Sequence, residues 1–308
     1  MKKILVIGEI LVEIMADQPD QPFLGAGTFN GPYASGAPAI FIDQVARFKV
    51  PAAILSAVGN DDFGKLCLER LATDGVDTGS VKIVGDRATG VAFVRYNSDG
   101  SRNFIYHIGN AACGQLSLED LKTVNWEELG VFHIMGSSIF NQEMFKIHKE
   151  AIKMIPDHCI ISFDPNVRPE ILATDPALSD FMGEMFDKAK VLFVTEEELE
   201  FLAGTDCMEK ALHVCFSKGI EIVVVKRGGE GATLFTEDHR FDVSAINVAE
   251  VDPTGAGDTF AGAFMAGYVL GWPLEECLES ANIAGASAVT KRGPMEGTLR
   301  LEDKNKNL

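Results

Sequence analysis

The chain has 308 residues, 46% hydrophobic and 23% charged, with a formal net charge of -18. That length allows a large core in one or two domains at about 150 residues each, and the composition is that of an ordinary folded protein. So large an acidic excess without a basic cluster excludes a nucleic-acid binder, and the longest apolar stretch, Thr259 to Trp272, is too short and too glycine-rich to span a membrane.

Lys3 to Gly8 reads as a buried parallel strand that starts within three residues of Met1, which leaves no room for a signal peptide. The six cysteines form no Cys-x-x-Cys pair and read as reduced core residues of a cytoplasmic protein. Glu9 to Met15 continues near period two and puts Glu9 and Glu13 on one side of an extended segment, where solvated edge positions are the commoner case. Asp17 to Pro32 reads as loop, and Ser35-Gly36-Ala37-Pro38 opens a helix through Arg47. A strand over Ala53 to Gly59, a helix ending near Gly75 and an extended segment over Val76 to Val84 follow.

Thr89 to His107 alternates around the turn Asn97-Ser98-Asp99-Gly100, an antiparallel hairpin that interrupts a parallel programme and has the character of a cover over a site. Its two apolar arms suggest a face that pairs with a second copy, a dimer through the hairpins. From Val131 strands and helices alternate: strands at 131–135, 159–164, 191–194 and 220–226, helices at 142–155, 175–189, 196–203 and 208–218. A hairpin over Ala232 to Val243 precedes helices from Asp258 to Leu270 and Leu274 to Thr290, and the residues after Thr298 read as frayed. The pattern is that of an α/β fold with a mostly parallel sheet and helices on both faces.

No P-loop, zinc spacing or nucleophile elbow occurs, and a dinucleotide-binding glycine pattern fails where Phe260 replaces the third glycine, which argues against an NAD-dependent enzyme. Ligands of open parallel sheets lie beyond the strand carboxyl ends. Four polar clusters stand there: Asp164-Pro165-Asn166-Val167-Arg168-Pro169, Thr195 to Glu198, Lys226 to Gly231, and Asp252-Pro253-Thr254-Gly255-Ala256-Gly257-Asp258. The last follows an apolar run ending at Val251 and reads as strand end, glycine turn and helix start, a place for an anion. Taken alone, Asp258 is equally a helix cap and a general base beside the transferred group.

Asp252 to Phe260 resembles the C-terminal signature of the ribokinase, or PfkB, family of carbohydrate kinases, and the likeness extends over nearly the whole chain. The resemblance implies one α/β domain over 1–308, a small β lid from about 10–33 and 88–110, and ATP-dependent transfer to a sugar hydroxyl. It implies Asp258 as catalytic base, Gly255, Ala256 and Gly257 as anion-hole amides, and Asp252 beside a monovalent-cation (K+) site. Lys226, Gly228 and Gly231 are similar to the family's strand-end motif over the nucleotide, and Asn282 to its adenine-side asparagine. Glu198 resembles the acidic end of an Asn-x-x-Glu element that organises Mg2+ through water, although Thr195 replaces the asparagine.

Asn166 and Arg168 resemble an element of the subgroup that holds 2-keto-3-deoxygluconate kinases, fructokinases and related ketose kinases. On the sugar side, Glu13 stands for the usual aspartate, Ser35-Gly36 for the glycine pair, Ile40 for a sugar-binding asparagine, and Tyr106 matches the keto-acid kinases' lid tyrosine. Ile108 replaces the arginine expected after it, so a substrate carboxylate would lack a bidentate partner and a neutral ketohexose is favoured, while Arg168 keeps a 2-keto-3-deoxygluconate (sugar acid) kinase as an alternative. The departures at 13, 40 and 195 also motivate an alternative, a sugar or nucleotide sensor with little catalysis.

Overall fold

The computed structural model describes residues 2–166 and 175–305. Strands β1 (Lys3–Ile7), β4 (Ala52–Gly59), β5 (Val81–Val84), β8 (Leu129–Met135), β9 (Ile160–Asp164), β10 (Val191–Val194), β11 (Ile222–Lys226), β12 (Ala232–Phe235) and β13 (Arg240–Val243) form one sheet in the order β13-β12-β11-β10-β9-β8-β1-β4-β5. All pairs are parallel except β11/β12 and β12/β13. The central strands are buried runs of Val, Ile, Leu and Ala because helices cover both faces of the sheet.

On one face pack α1 (Ala37–Arg47), α2 (Asp62–Asp74), α7 (Ala256–Leu270) and α8 (Leu274–Ala288), around a core that includes Phe41, Phe193 and Phe264. On the other pack α3 (Gln142–Met154), α4 (Pro176–Lys188), α5 (Glu196–Ala203) and α6 (Met208–Ser217), around Phe132, Phe163 and Phe181. Helix α7 is buried continuously from Thr259 to Gly267, which explains a sequence apolar on every side. No helix among the described residues is long and apolar enough to cross a membrane.

A second sheet has the order β3-β2-β6-β7, from β2 (Leu11–Ala16), β3 (Phe29–Ser35), β6 (Gly90–Tyr96) and β7 (Arg102–His107). Strand β3 corrects the loop expected up to Pro32: it is an edge strand, where proline costs no ladder bond to a further neighbour. Residues Tyr33, Glu13, Ala92 and Tyr106 are in register across the sheet and share one face. The expected extended segment over Val76 to Val84 shortens to Val81–Val84, and the final helix ends at Ala288 rather than Thr290. No strand precedes the glycine turn: Ser244 to Glu250 lacks regular structure and pairs with no strand of the sheet among the described residues.

Beneath α1 and α2 an ion network holds the segment 295–300 in place. Asp43 and Asp74 are buried, and Arg47 and Arg70 reach both of them. Arg70 Nε comes within 2.8 Å of Asp74 at an angle too bent for a hydrogen bond, so that contact is an ion pair. Arg70 also donates to the Met295 carbonyl at 2.6 Å and Arg47 to the Thr298 carbonyl at 2.7 Å. Removing one member of a buried pair strands the other's charge, so Arg70→Met is expected to cost about 3 kcal/mol, the low end for buried pairs because Arg70 keeps some solvent contact. Chemical denaturation of the purified variant checks this.

Candidate active site

Three of the four polar clusters occupy the carboxyl ends of β9, β10 and β11, and the turn before α7 joins them. Helix α7 begins at Ala256 and not at Asp258, with Gly255 as a left-handed cap at φ 79°. A Cβ at 255 would stand 2.8 Å from the Pro294 carbonyl oxygen and 3.1 Å from Ile40 Cδ1, so both conformation and space call for glycine there. Ile40, which replaces the expected asparagine, is therefore a buried wall of the turn and presents no polar group to a sugar.

Among the described residues, the amides of Gly257 and Asp258 have no backbone acceptor, as expected for the first turn of a helix. With the macrodipole behind them they form an anion site. Gly257 faces the cleft, and Lys226 Nζ lies 3.9 Å from where its Cβ would be.

Asp258 is the third residue of this helix. Its Oδ1 accepts from Asn166 Nδ2 at 3.2 Å, and Asn166, itself left-handed at φ 45°, donates its backbone N–H to Asp164. Lys226 Nζ donates to Asp164 Oδ2 at 2.5 Å. Burial pushes the Asp258 carboxyl up to about 8, the nearby Asp164, Glu9 and Glu13 charges add to the rise, and Lys226 opposes it. Asp258 keeps partial exposure, and its desolvation comes from the protein packed around it. Burial works against the Lys226 ammonium, but Asp164, Glu198 and Asp258 outweigh it and its pKa is raised.

Glu198 is buried in the first turn of α5, where its Oε2 accepts the Thr195 N–H at 2.8 Å and Thr195 Oγ1 accepts the Glu198 N–H. Thr195 is thus the cap of a capping box. Gly228 is left-handed at φ 52°, and a Cβ on Gly231 would stand 2.0 Å from the Val243 carbonyl oxygen. Asn282 Nδ2 donates to the Ser244 carbonyl at 2.9 Å and so ties α8 to the irregular segment after β13.

On the opposite wall, Glu9 and Glu13 are buried rather than solvated. Ser138 Oγ donates to Glu9 at 2.8 Å, and Ser35 Oγ donates to Glu13 Oε1 at 2.7 Å. Among the described residues Glu13 Oε2 has no hydrogen-bond partner. Burial pushes both carboxyls up to about 7. Gly36, at φ 110°, brings the chain against the Glu9 carbonyl, 2.4 Å from its own Cβ position. Tyr106 is half exposed and stacks on Phe104 with ring centroids 5.3 Å apart. Arg168 lies outside the described residues.

Asp252 is buried and accepts from the Tyr96 hydroxyl, from Thr254 N at 3.0 Å and from Gly293 N at 2.8 Å. Sequence reasoning assigned no role to Tyr96, Thr254, Arg102, Gly293 or Asp164. Asp164 carried a signal, standing at a strand end two residues before Asn166, and Thr254 meets Asp252 locally, two residues on; Tyr96, Arg102 and Gly293 reach the Asp252–Thr254 loop only through the tertiary fold. Among the described residues no cluster of three or more His, Cys, Asp or Glu side chains is arranged to hold a metal.

A helix N-terminus open to an anion, a carboxylate with a raised pKa beside it and a buried ammonium on the other side can together bind an anionic group and take up a proton next to it. Residues 1–300 match the model of the pfkB family of carbohydrate kinases, and the chain belongs to that family. It is a carbohydrate kinase. Fructokinase-1 of Oryza sativa subsp. japonica is 29% identical over 300 residues, covering 94% of this chain and 92% of that one. A chain from E. coli provisionally designated ribokinase II, in complex with ATP and Mg2+, matches with TM-score 0.93 at 45% identity over 99% of this chain and 98% of that one. A Vibrio cholerae fructokinase double mutant with fructose, ADP and potassium bound matches with TM-score 0.84 at 26% identity, over 99% and 97%.

Proposed function

We propose that this kinase transfers the γ-phosphoryl of ATP to a hydroxyl of a ketohexose such as fructose or tagatose. The observation that carries the reading is Asp258: one carboxylate with a raised pKa, in the first turn of α7, beside both the open amides and Lys226. The open amides of Gly257 and Asp258 and the Lys226 ammonium hold the phosphates, Gly255 shapes the turn and the Ala256 amide donates to the Pro253 carbonyl instead, while Asp258 takes the hydroxyl proton as the new bond forms. Asn166 orients Asp258, and Gly228, Gly231 and Asn282 shape the nucleotide side. Glu198, buried in the first turn of α5, would hold Mg2+ through water, as sites with few protein carboxylates do; Thr195 caps the helix where the asparagine was expected, and bound Mg2+ would neutralise phosphate charge. Among the described residues Asp252 Oδ2 accepts one hydrogen bond, from the Gly293 amide, which leaves an acceptor direction that suits a monovalent cation such as K+.

The sugar lies against the small sheet, which acts as a lid. The free Glu13 Oε2 and its neighbours Ser35, Gly36 and Tyr106 form a wall of acceptors suited to hydroxyl groups. Two buried carboxylates there, Glu9 and Glu13, favour a neutral ketose over a sugar acid; the sugar-acid reading depends on Arg168. ADP release measured with ATP, Mg2+ and a panel of fructose, tagatose and 2-keto-3-deoxygluconate tests this. A ketohexose preference supports the reading, and turnover with the sugar acid alone overturns it.

Asp258 works only when ionised, and in the free enzyme it holds its proton to about pH 8. The ratio kcat/KM is therefore expected to rise about tenfold per pH unit between pH 6 and about 7.5, to be half-maximal near 8 and to level above about 9. An initial-rate pH series at low sugar concentration checks it.

The outer face of the lid carries Ile14, Phe93 and Ile105 in one register row, with Phe23 packed edge-on to Phe93 and Ile105 45% exposed. This face supports a homodimer through the lids. Ile105→Glu is expected to shift sedimentation at micromolar concentration from dimer to monomer.

A further inference from the structure

The small sheet does more than cover the cleft: its side chains reach into the loop that carries the anion site. The Tyr96 hydroxyl, on β6, donates to Asp252. With that proton committed, the 2.8 Å contact between Tyr96 and Thr254 has Thr254 Oγ1 as donor. Arg102 Nη1, on β7, donates to Thr254 Oγ1 at 3.3 Å. The bonds thus run in one direction, from Arg102 to Thr254 to Tyr96 to Asp252, a chain in which each donor polarises the next. The other oxygen of Asp252 is also held under the small sheet: it accepts the Gly293 amide, and the Tyr33 ring from β3 covers Gly293 so closely that a Cβ there would stand 2.7 Å from Tyr33 Cδ1. Farther along the same segment, Arg292 lies 3.5 Å from Asp17, next to the end of β2.

Asp252 and Thr254 lead directly into Gly255, whose left-handed turn aims the first amides of α7 at the phosphate. Tyr96 thus holds one oxygen of the buried carboxylate directly, and Tyr33 packs over the Gly293 whose amide holds the other; both tyrosines belong to the sheet that carries Glu13 and Tyr106.

We propose that Tyr96 is a positioning residue that couples the two substrates: a sugar gripped by the small sheet sets the Asp252–Gly255 turn through the Tyr96 hydroxyl and so completes the phosphate site. The inference rests on the sugar-kinase reading above. Coupling of this kind is reciprocal, so bound sugar tightens nucleotide by the same factor as nucleotide tightens sugar.

The test is calorimetric titration of Mg·ADP into wild type and Tyr96→Phe, each with and without fructose. Wild type is expected to bind Mg·ADP at least about fivefold more tightly with fructose present. Tyr96→Phe is expected to bind each ligand alone within about twofold of wild type, to lose the coupling, and so to show a lower kcat with the KM for each substrate raised about fivefold when the other is saturating. Hydrogen exchange of the amides at 254–257, which needs no sugar, is expected to be faster in unliganded Tyr96→Phe. A variant that keeps the coupling, wild type that binds fructose without tightening Mg·ADP, or unchanged exchange at 254–257 overturns the inference. Absence of fructose binding by wild type counts against the ketohexose reading instead, and exchange then decides the coupling. Thr254→Val, which breaks the same chain at its neighbouring link, is the second variant if Tyr96→Phe does not fold.

Discussion

Asp258→Asn is expected to lose at least about 100-fold in turnover, since a general base is worth 10²–10⁴-fold. As a mere contact with the α7 macrodipole the carboxylate would be worth only about 0.3–1 kcal/mol, and asparagine in its place would leave turnover nearly intact. The variant's stability carries a second signature. The folded carboxyl titrates near 8, against 3.8 for an ordinary aspartate. Between those values the unfolded chain has released a proton that the native protein still holds, so the wild type loses stability as pH rises from about 4 to about 8. Asparagine has no such proton, and the melting temperature of Asp258→Asn relative to wild type is expected to climb between pH 5 and 8 and then level. An inactive variant whose advantage does not change with pH would leave the loss of activity explained but not the raised pKa.

Lys226→Met is expected to be costly in two ways. Its ammonium is the buried partner of Asp164 at 2.5 Å and lies close to Glu198 and Asp258, so its loss leaves carboxylates crowded in a dry cleft. Removing one member of a buried pair costs about 3–5 kcal/mol. Burial already pushes the Asp164 carboxyl upward, and Lys226 restrains it. Without the lysine Asp164 protonates more readily, so the stability deficit should be smaller at pH 5 than at pH 8. Loss of the cation facing Gly257 should also cost about 10²–10³ in turnover, the scale of one transition-state contact. Thermal melts at the two pH values and a rate assay check both parts.

Much of the fold was legible because parallel strands buried on both faces must be apolar throughout, and β1, β4, β10 and β11 are. The misreadings came where one element depends on another. Strand β3 looked like loop because Gly31 and Pro32 are tolerated only on an edge, and its edge position is a property of the sheet. The apolar run ending at Val251 looked like a strand but pairs with no strand of the sheet among the described residues. At the site, the glycine turn was visible because backbone at φ 79° under Pro294 restricts residue choice at 255. Glu9 and Glu13 were harder to judge, since alternation alone does not tell a solvated edge from a wall whose acceptors are met by Ser138 and Ser35. Tyr96 carried no local signal: its partner lies 156 residues away.

The central claim is that the turn at Asp252–Asp258 transfers phosphoryl to a ketohexose with Asp258 as base. Following the label from ATP radiolabelled in its γ-phosphoryl group, with Mg2+ and fructose, tests it most directly. The account predicts label on the sugar in amounts equal to the ADP formed, at least about 100-fold slower with Asp258→Asn. Label released only as inorganic phosphate, or transferred to the sugar equally fast by the asparagine variant, would contradict it.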